Sequence, residues 1–475
     1  MNKPLIALGS VLAVALLGLP PVLGMITESQ VAQRVESLRD HPVFTAELES
    51  FERGWFGSRA RIGFGLSPAY VAQVAASTPE ASAEELSRRA TIVVDIAHGP
   101  VAVGDGVHFG LSSFVARPDP GTAGIGAVLE RLRIPYLFEF RGRTGLSGVL
   151  DFDADIPGFE LADPNGQLAF AGATLEGSLD GTLLEYRARS DHLRVAPAGE
   201  PSVSLEGLRM SADLDVRSAY LLLGAMDGEV DRVQVWDPAA APVFDASGLR
   251  VAGEWRPNGT GDRVDAAFTY TLASAMGSGG IDLADAAFGV TVRDVDVAAA
   301  QAYYETVQRA MANGTSDPDA LLADLEPVIW RFLAASPSVA LEPMRFRWQG
   351  EPFDASLHVE VDGATLPPGG AFDLRSPVFW VSAVDATARA NVSKKLAEDI
   401  TTRVLTLQLA EALGGDDALP SDQLEYMAGA QAGLMLVTLV TQGLLLDDGD
   451  EYSTRIEFRD GALTINGAPL PTGFP

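Results

Sequence analysis

The sequence predicts an α+β protein, β-dominated, with an N-terminal transmembrane helix, an extended antiparallel sheet and helices concentrated in the C-terminal third. Three observations lead there. An uncharged apolar run opens the chain. From about residue 90 to 295 apolar and polar residues alternate with period two, and after residue 296 the period lengthens to that of helices.

The opening run lies in MNKPLIALGSVLAVALLGLPPVLGMITESQ, which carries one cation, Lys3, and then no charge from Pro4 to Thr27. That length suffices to cross a hydrocarbon core of ~30 Å as a helix. Lys3 before the run and Glu28 after it predict a cytoplasmic N-terminus with the bulk outside. The rival is a cleaved signal peptide, for which Pro20, Pro21, Val22 and Leu23 break up the small-residue cleavage positions. Three segments follow: residues 1–26 as anchor or signal peptide, 27–296 as a mainly antiparallel β region in the periplasm, and 297–475 as a helix-rich α+β region completing the same sheet.

Within 27–40, Val31, Val35 and Leu38 share a stripe of a short amphipathic helix, with Thr27 or Ser29 as its cap. The stretch SFERGWFGSRARIGF (50–64) reads as a strand with Gly54 in its interior. LSGVLDFDADI then sets Leu150, Phe152, Ala154 and Ile156 on one face and Asp151, Asp153 and Asp155 on the other. Turns are expected at Asn165–Gly166, Asp180–Gly181, Asp227–Gly228 and Asn258–Gly259. Regular spacing without intervening helices, apart from GIGAVLERLRI (124–134), indicates an antiparallel meander. Helices are expected over 297–314, 317–336 and 392–413, and again from a Ser421 cap. Strands are expected in VALEPMRFRWQG, DASLHVEVDG and PVFWVSAVDATARA, and two more meet at Asp460–Gly461. The uncharged stretch from Met427 to Leu446 could pass for a second span. Gln431, Gln442 and several small residues favour a helix buried against the sheet instead.

Composition limits the function. The chain has 475 residues, 47% of them hydrophobic, so a folded body is expected. Its 34 basic and 64 acidic residues give a net charge of −30, which repels phosphate backbones and excludes nucleic acid as a partner. Lysine occurs only at Lys3, Lys394 and Lys395, and there is no cysteine. Disulfides, zinc–thiolate sites, iron–sulfur clusters and cysteine nucleophiles are therefore excluded. The acidic triplet Asp151, Asp153, Asp155 resembles the start of a calcium loop, but Ile156 and Ala162 stand where such a loop needs glycine and glutamate. His41, His98, His108, His192 and His358 show no metal-binding spacing. No nucleophile elbow, phosphate loop or dinucleotide fingerprint occurs. The expectation is no catalytic residue, no metal and no cofactor.

The order of motifs resembles the YdgA-like family of bacterial envelope proteins, a domain of unknown function. The matching stretches are MNKPLIALGSVLAVALL, FERGWFGSRARI, HGPVAVG, LEPMRFRWQGEPFDASLHVEVDG and LTINGAPL. The resemblance implies an inner-membrane anchor, single-pass, with the bulk in the periplasm. It implies no reaction.

Arg53, Gly54, Trp55, Phe56, His98, Gly99 and Pro100 are the candidate ligand or partner residues. Their other reading is structural: Gly54 at a bulge, Trp55 and Phe56 on opposite faces with one packed inward, and His98-Gly99-Pro100 ending a strand that crosses nearby. The functional expectation is a non-enzymatic envelope protein acting in assembly or maintenance through protein contacts. Its alternative is a lipid- or hydrophobe-binding groove left where helices fail to cover the sheet. An uncharacterised hydrolase is the third. Partners are then the inner membrane through residues 4–26 and a lipid or another envelope protein, and a homodimer is compatible with the composition.

Overall fold

The computed structural model describes residues 28–29, 31–33, 35–36, 43–77, 87, 89–99, 101–104, 106–122, 124–218, 221–259, 261–312, 318–365, 377–412 and 420–470. The expected anchor over 1–26 and most of the helix over 27–40 lie outside them, as does Pro100. The chain divides into two units, Met1–Met226 with Tyr304–Leu321, and Asp227–Tyr303 with Leu322–Pro475. Both are β-dominated and antiparallel, and the longer helices fall in the C-terminal third.

In the first unit the strands are β1 (Phe44–Arg53), β2 (Gly57–Leu66), β3 (Ala90–His98), β4 (Val101–Gly104), β5 (Gly106–Phe109), β6 (Ser112–Pro118), β7 (Glu139–Thr144), β8 (Leu150–Asp163), β9 (Gly166–Asp180), β10 (Leu183–Pro197) and β11 (Ser202–Ser218). They pair in chain order, except that β4 and β5 form a hairpin of their own and β3 pairs with β6. Helix α1 (Pro68–Ser77), which the periodicity does not announce, follows β2. Helix α2 (Ile125–Leu132) falls inside the stretch expected to be helical.

Strand β12 (Leu221–Trp236) contains the division between units. Asp227–Gly228 is thus strand and not turn, because Asp227 accepts from Arg250 Nε of the next strand at 2.7 Å and stays in the ladder. The chain continues with β13 (Pro242–Asn258), β14 (Arg263–Gly277), β15 (Ile281–Asp296), α3 (Val297–Ala312), α4 (Pro318–Ala334), β16 (Ser338–Trp348), β17 (Glu351–Val361), α5 (Pro377–Ala383), β18 (Val384–Ser393), α6 (Lys394–Ala412), α7 (Ser421–Thr441), β19 (Leu446–Asp448), β20 (Glu451–Arg459), β21 (Ala462–Ile465) and β22 (Ala468–Leu470), all of the second unit except the later part of α3 and the first turn of α4, which belong to the first. Strands β13 to β18 pair in order, β18 pairs with β20, and β19 and β21 share the other edge of β20. The change from strand to helix falls at Asp296 and Val297.

Three local expectations are corrected. Pro377–Ala383 is helix where a strand was expected, since proline at a first helical position costs no donor. Ser421 is the first residue of α7, and Pro420 holds the cap position before it. Gly54 follows the end of β1 in the turn Gly54–Phe56, where its N–H donates to Gly57 O at 2.7 Å. Trp55 and Phe56 are accordingly both exposed, at 58% and 54%.

Residues directly opposed in an antiparallel pair share a face. In the first unit Ala60, Val94, Ala116, Phe140, Ala154, Leu175, Ala188 and Met210 form one such row, and Ile96, Phe114, Gly142, Phe152, Gly177 and Tyr186 the next. The other face carries Arg59, Asp95, Val115, Arg141, Asp153, Glu176 and Arg187. In the second unit Gly253, Phe268, Val290, Leu341, Leu357, Ala388 and Ile456 line up on the apolar face.

Two groups of helices pack on the second unit's face near its ends. Leu333, Ile329 and Trp330 of α4 pack with Trp380 of α5 on Val361. Ala397 of α6 and Leu436 and Val440 of α7 pack on Val392 and Tyr452. Ser393 caps α6 through Leu396 N–H, and Lys394 and Lys395 tie its start to Asp447 and Glu351 at 2.6 and 3.4 Å. Met427 to Leu446 is therefore no buried helix: α7 buries one stripe, Leu424, Ala428, Ala432 and Leu436, and leaves the rest outside.

A Cβ at Gly54 would stand 2.8 Å from Gly57 O, a backbone atom that cannot rotate away. Gly54→Val is expected to lower the thermal midpoint by several degrees, and an unchanged melting curve would contradict the turn.

Candidate functional site

Two features of the first unit are candidates, one on each face of its sheet. The polar one is a 740 Å³ hollow lined by Arg53, Arg59, Asp95, Arg117, Arg141 and Arg143 among others. Period two puts these side chains together because β2, β3, β6 and β7 are held in register. Arg59 meets Asp95 at 2.6 Å, Arg53 meets Glu28 at 3.2 Å, and Arg141 meets Asp153 at 3.4 Å. Arg143 has no ion-pair partner among the described residues. Beneath them Glu139, only 1% exposed, is ion-paired to both Arg117 and Arg141. The two guanidiniums offset the cost of holding a carboxylate this far from water.

Arg53 and Gly54 line this hollow, and Trp55 and Phe56 project from the hairpin beside them. His98 ends β3, as its structural reading expected, and its N–H donates to Phe56 O at 2.8 Å. Gly99 takes φ +121, a conformation that favours glycine, and its N–H donates to Leu111 O at 3.2 Å. Sequence reasoning thus brought together the hairpin and the β3 terminus. It missed Arg117, Glu139, Arg141 and Arg143, which come from strands some 60 to 90 residues on, although FEFRGRTG carries a repeat of the arginine–glycine pattern.

His98 itself is 1% exposed and shares a 2.8 Å hydrogen bond between Nε2 and Ser58 Oγ. A nucleophilic pair would need a third group on Nδ1, but that nitrogen has no hydrogen-bond partner. Ser58 is 7% exposed and stands in the lining of the polar hollow. Burial pushes the His98 imidazole below its usual pKa. Among the described residues no group of His, Asp or Glu is arranged to hold a metal. Asp153 and Asp155 engage Arg141 and the Tyr136 hydroxyl.

The second candidate is the apolar face. The Phe114, Phe140 and Phe152 rings stack in series with centroids 5.8 and 5.7 Å apart. Phe114 lies over Gly142 and Phe152 over Gly177, where a Cβ would collide with each ring. The rings therefore lie flat across the strands and pave the sheet. They are half-buried, and Met210 is 38% exposed. In the second unit a 340 Å³ apolar hollow lies over Leu249, Tyr270, Phe288, Met344, Phe346 and Phe353.

A family model of bacterial proteins of unknown function, DUF945, matches residues 1–472. The chain belongs to this family. Membership is compatible with the YdgA-like resemblance of the motifs. No curated protein and no solved structure matches the chain. For this DUF945 chain the functional argument therefore rests on its own geometry.

Two outcomes test the polar cluster. Breaking a fully buried pair costs about 3–5 kcal/mol, and here less, since Arg117 and Arg141 are 52% and 38% exposed. Glu139→Gln is expected to cost about 2 kcal/mol and lower the thermal midpoint by about 5 °C. For His98 the folded pKa lies below the unfolded 6.5, so its contribution is complete above pH 6.5 and is lost as pH falls through the folded value. The drop in thermal midpoint between pH 7.5 and 5.5 should be larger in the natural protein than in His98→Gln; equal drops would refute the buried neutral imidazole.

Proposed function

We propose that this DUF945 protein is a non-enzymatic, inner-membrane-anchored envelope protein whose body holds lipid acyl chains along the apolar faces of its sheets. One observation carries the reading: the long apolar rows stay partly exposed at their centres, and the helix clusters that pack on the second unit's sheet, at Val361 and at Val392 and Tyr452, lie at its ends. A soluble protein rarely leaves contiguous apolar area above a few hundred Å² in water. Strands of 14–17 residues run ~45–55 Å, against ~15 Å for the hydrocarbon of one leaflet, so each face exceeds the length of one chain. The flat aromatic paving suits a featureless methylene chain better than a peptide, which brings backbone donors needing partners. The uncharged run before Thr27 supplies the anchor in this reading, and the absence of a third group on Ser58–His98 supports a non-catalytic role.

Protein contact is the second reading, and Trp55 and Phe56 favour it. Large aromatics standing free at a hairpin tip are the residue types that anchor interfaces.

Lipid extracted from the full-length protein, purified in mild detergent, decides between them. Phe152→Glu on the apolar face should carry several-fold less lipid than the natural protein, with unchanged circular dichroism. Equal lipid in both would refute the acyl-chain reading, and loss of a co-purifying protein in Trp55→Ala would favour the contact reading.

A further inference from the structure

Helices α6 and α7 form a hairpin, closed by Leu405, Leu409, Ala428 and Ala432 between them. Its outside is unusually apolar. Ile400, Val404 and Leu407 stand on α6 at 47%, 47% and 66% exposed, while Tyr426, Leu434 and Val437 on α7 reach 80%, 70% and 61%. The first three fall on one stripe at helical spacing. The others lie around α7, whose buried stripe is the opposite one.

From Tyr426 to Leu446 the chain carries no charge. The hydroxyls of Thr438 and Thr441, both on exposed turns, donate back to Leu434 O and Val437 O at 2.7 and 2.8 Å. These donors are satisfied within the helix, as they are when a helix meets hydrocarbon. An apolar helix face belongs either in a core or in lipid, and α7 packs on α6 and the sheet along one stripe only, leaving Leu434 and Val437 outside.

We infer that the α6–α7 hairpin is a bilayer-contact element that lies in the lipid interface with Leu407, Leu434 and Val437 in the acyl region. It does not span, because Glu398, Asp399, Arg403 and Glu411 on α6 are exposed and need water. Charge chooses the bilayer over a second copy of the chain. The apolar area on offer, on the order of 900 Å², would suffice for a standard dimer. However, a two-fold contact would bring the acidic flank of this face, with Glu398, Asp399, Asp422 and Glu425, toward the same acidic flank of the second copy, in a chain of net charge −30. A zwitterionic lipid surface presents no such repulsion. The inference does not depend on what the sheets bind.

The chain has no cysteine, so one introduced thiol labels one place. Full-length Leu434→Cys and Glu200→Cys, the latter on an exposed turn between β10 and β11, each carrying an environment-sensitive dye, are reconstituted in phosphatidylcholine vesicles with or without lipids brominated along the acyl chain. The dye at Leu434 should shift to the blue and be quenched by brominated lipid at least several-fold more than the dye at Glu200. Replacing half the lipid with phosphatidylglycerol at low salt should weaken that quenching, because the acidic flanks are repelled. A water-like dye at Leu434 in vesicles would overturn the inference. So would a blue shift that ignores brominated lipid and grows with protein concentration, the mark of a second copy. Lipid missing from the Phe152 face with quenching retained at Leu434 would sink the acyl-chain reading and leave this one standing.

Discussion

An antiparallel sheet with one charged and one apolar face imposes a single demand, that something other than water meet the apolar side. Everything distinctive about this molecule follows from how far its own helices meet that demand. In the second unit α4 and α5 close one end of the face on Val361, and α6 and α7 close the other on Val392 and Tyr452. Between them lie Phe268, Val290, Leu341 and Leu357, all partly exposed. The first unit repeats the arrangement with its flat phenylalanine series. The apolar face is thus a property of the strands' alternation, and its exposure is a property of the helices' placement.

The charged face is organised differently. Its arginines are spent largely on neighbouring carboxylates, such as Arg59 on Asp95 and Arg61 on Asp119 at 2.5 Å. Pairs of this kind are exposed and contribute little to stability. Glu139 is the exception, because two guanidiniums converge on a carboxylate that water cannot reach. His98, equally buried but neutral, ties the other end of these strands to the hairpin through Ser58. The conspicuous FERGWF stretch therefore belongs to a hairpin held by buried polar groups. Its aromatics, free at the tip, are available to a partner.

Burial is unevenly spread. The fully buried large side chains are Leu396, His98 and Glu139, two of them polar. Few large apolar residues are removed from water, so the hydrophobic contribution to stability resides mainly in half-buried rows and helix ends. A lipid on those rows would complete the burial that folding leaves unfinished. The α6–α7 hairpin shows the same incompleteness on a smaller scale.

The alternation of Leu150 to Ile156, the glycine turns at Gly166, Gly181 and Gly259, and the change of period at Val297 were legible because each depends on residues within a few positions. So were the β-dominated class, the antiparallel order and the helices in the C-terminal third. Exposure was not legible. Met427 to Leu446 reads the same whether it is buried or bare, since hydropathy records what a helix prefers and not what surrounds it. Gly54 reads the same in a strand and in a turn, and Asp227–Gly228 became strand only because Arg250 lay across from it. Glu139 looked like one acid among 64 until strands far apart in sequence brought Arg117 and Arg141 to it. Local preference set the elements and the two faces of the sheets; only long-range contact decided which apolar surface was covered and which charges were shut away from water.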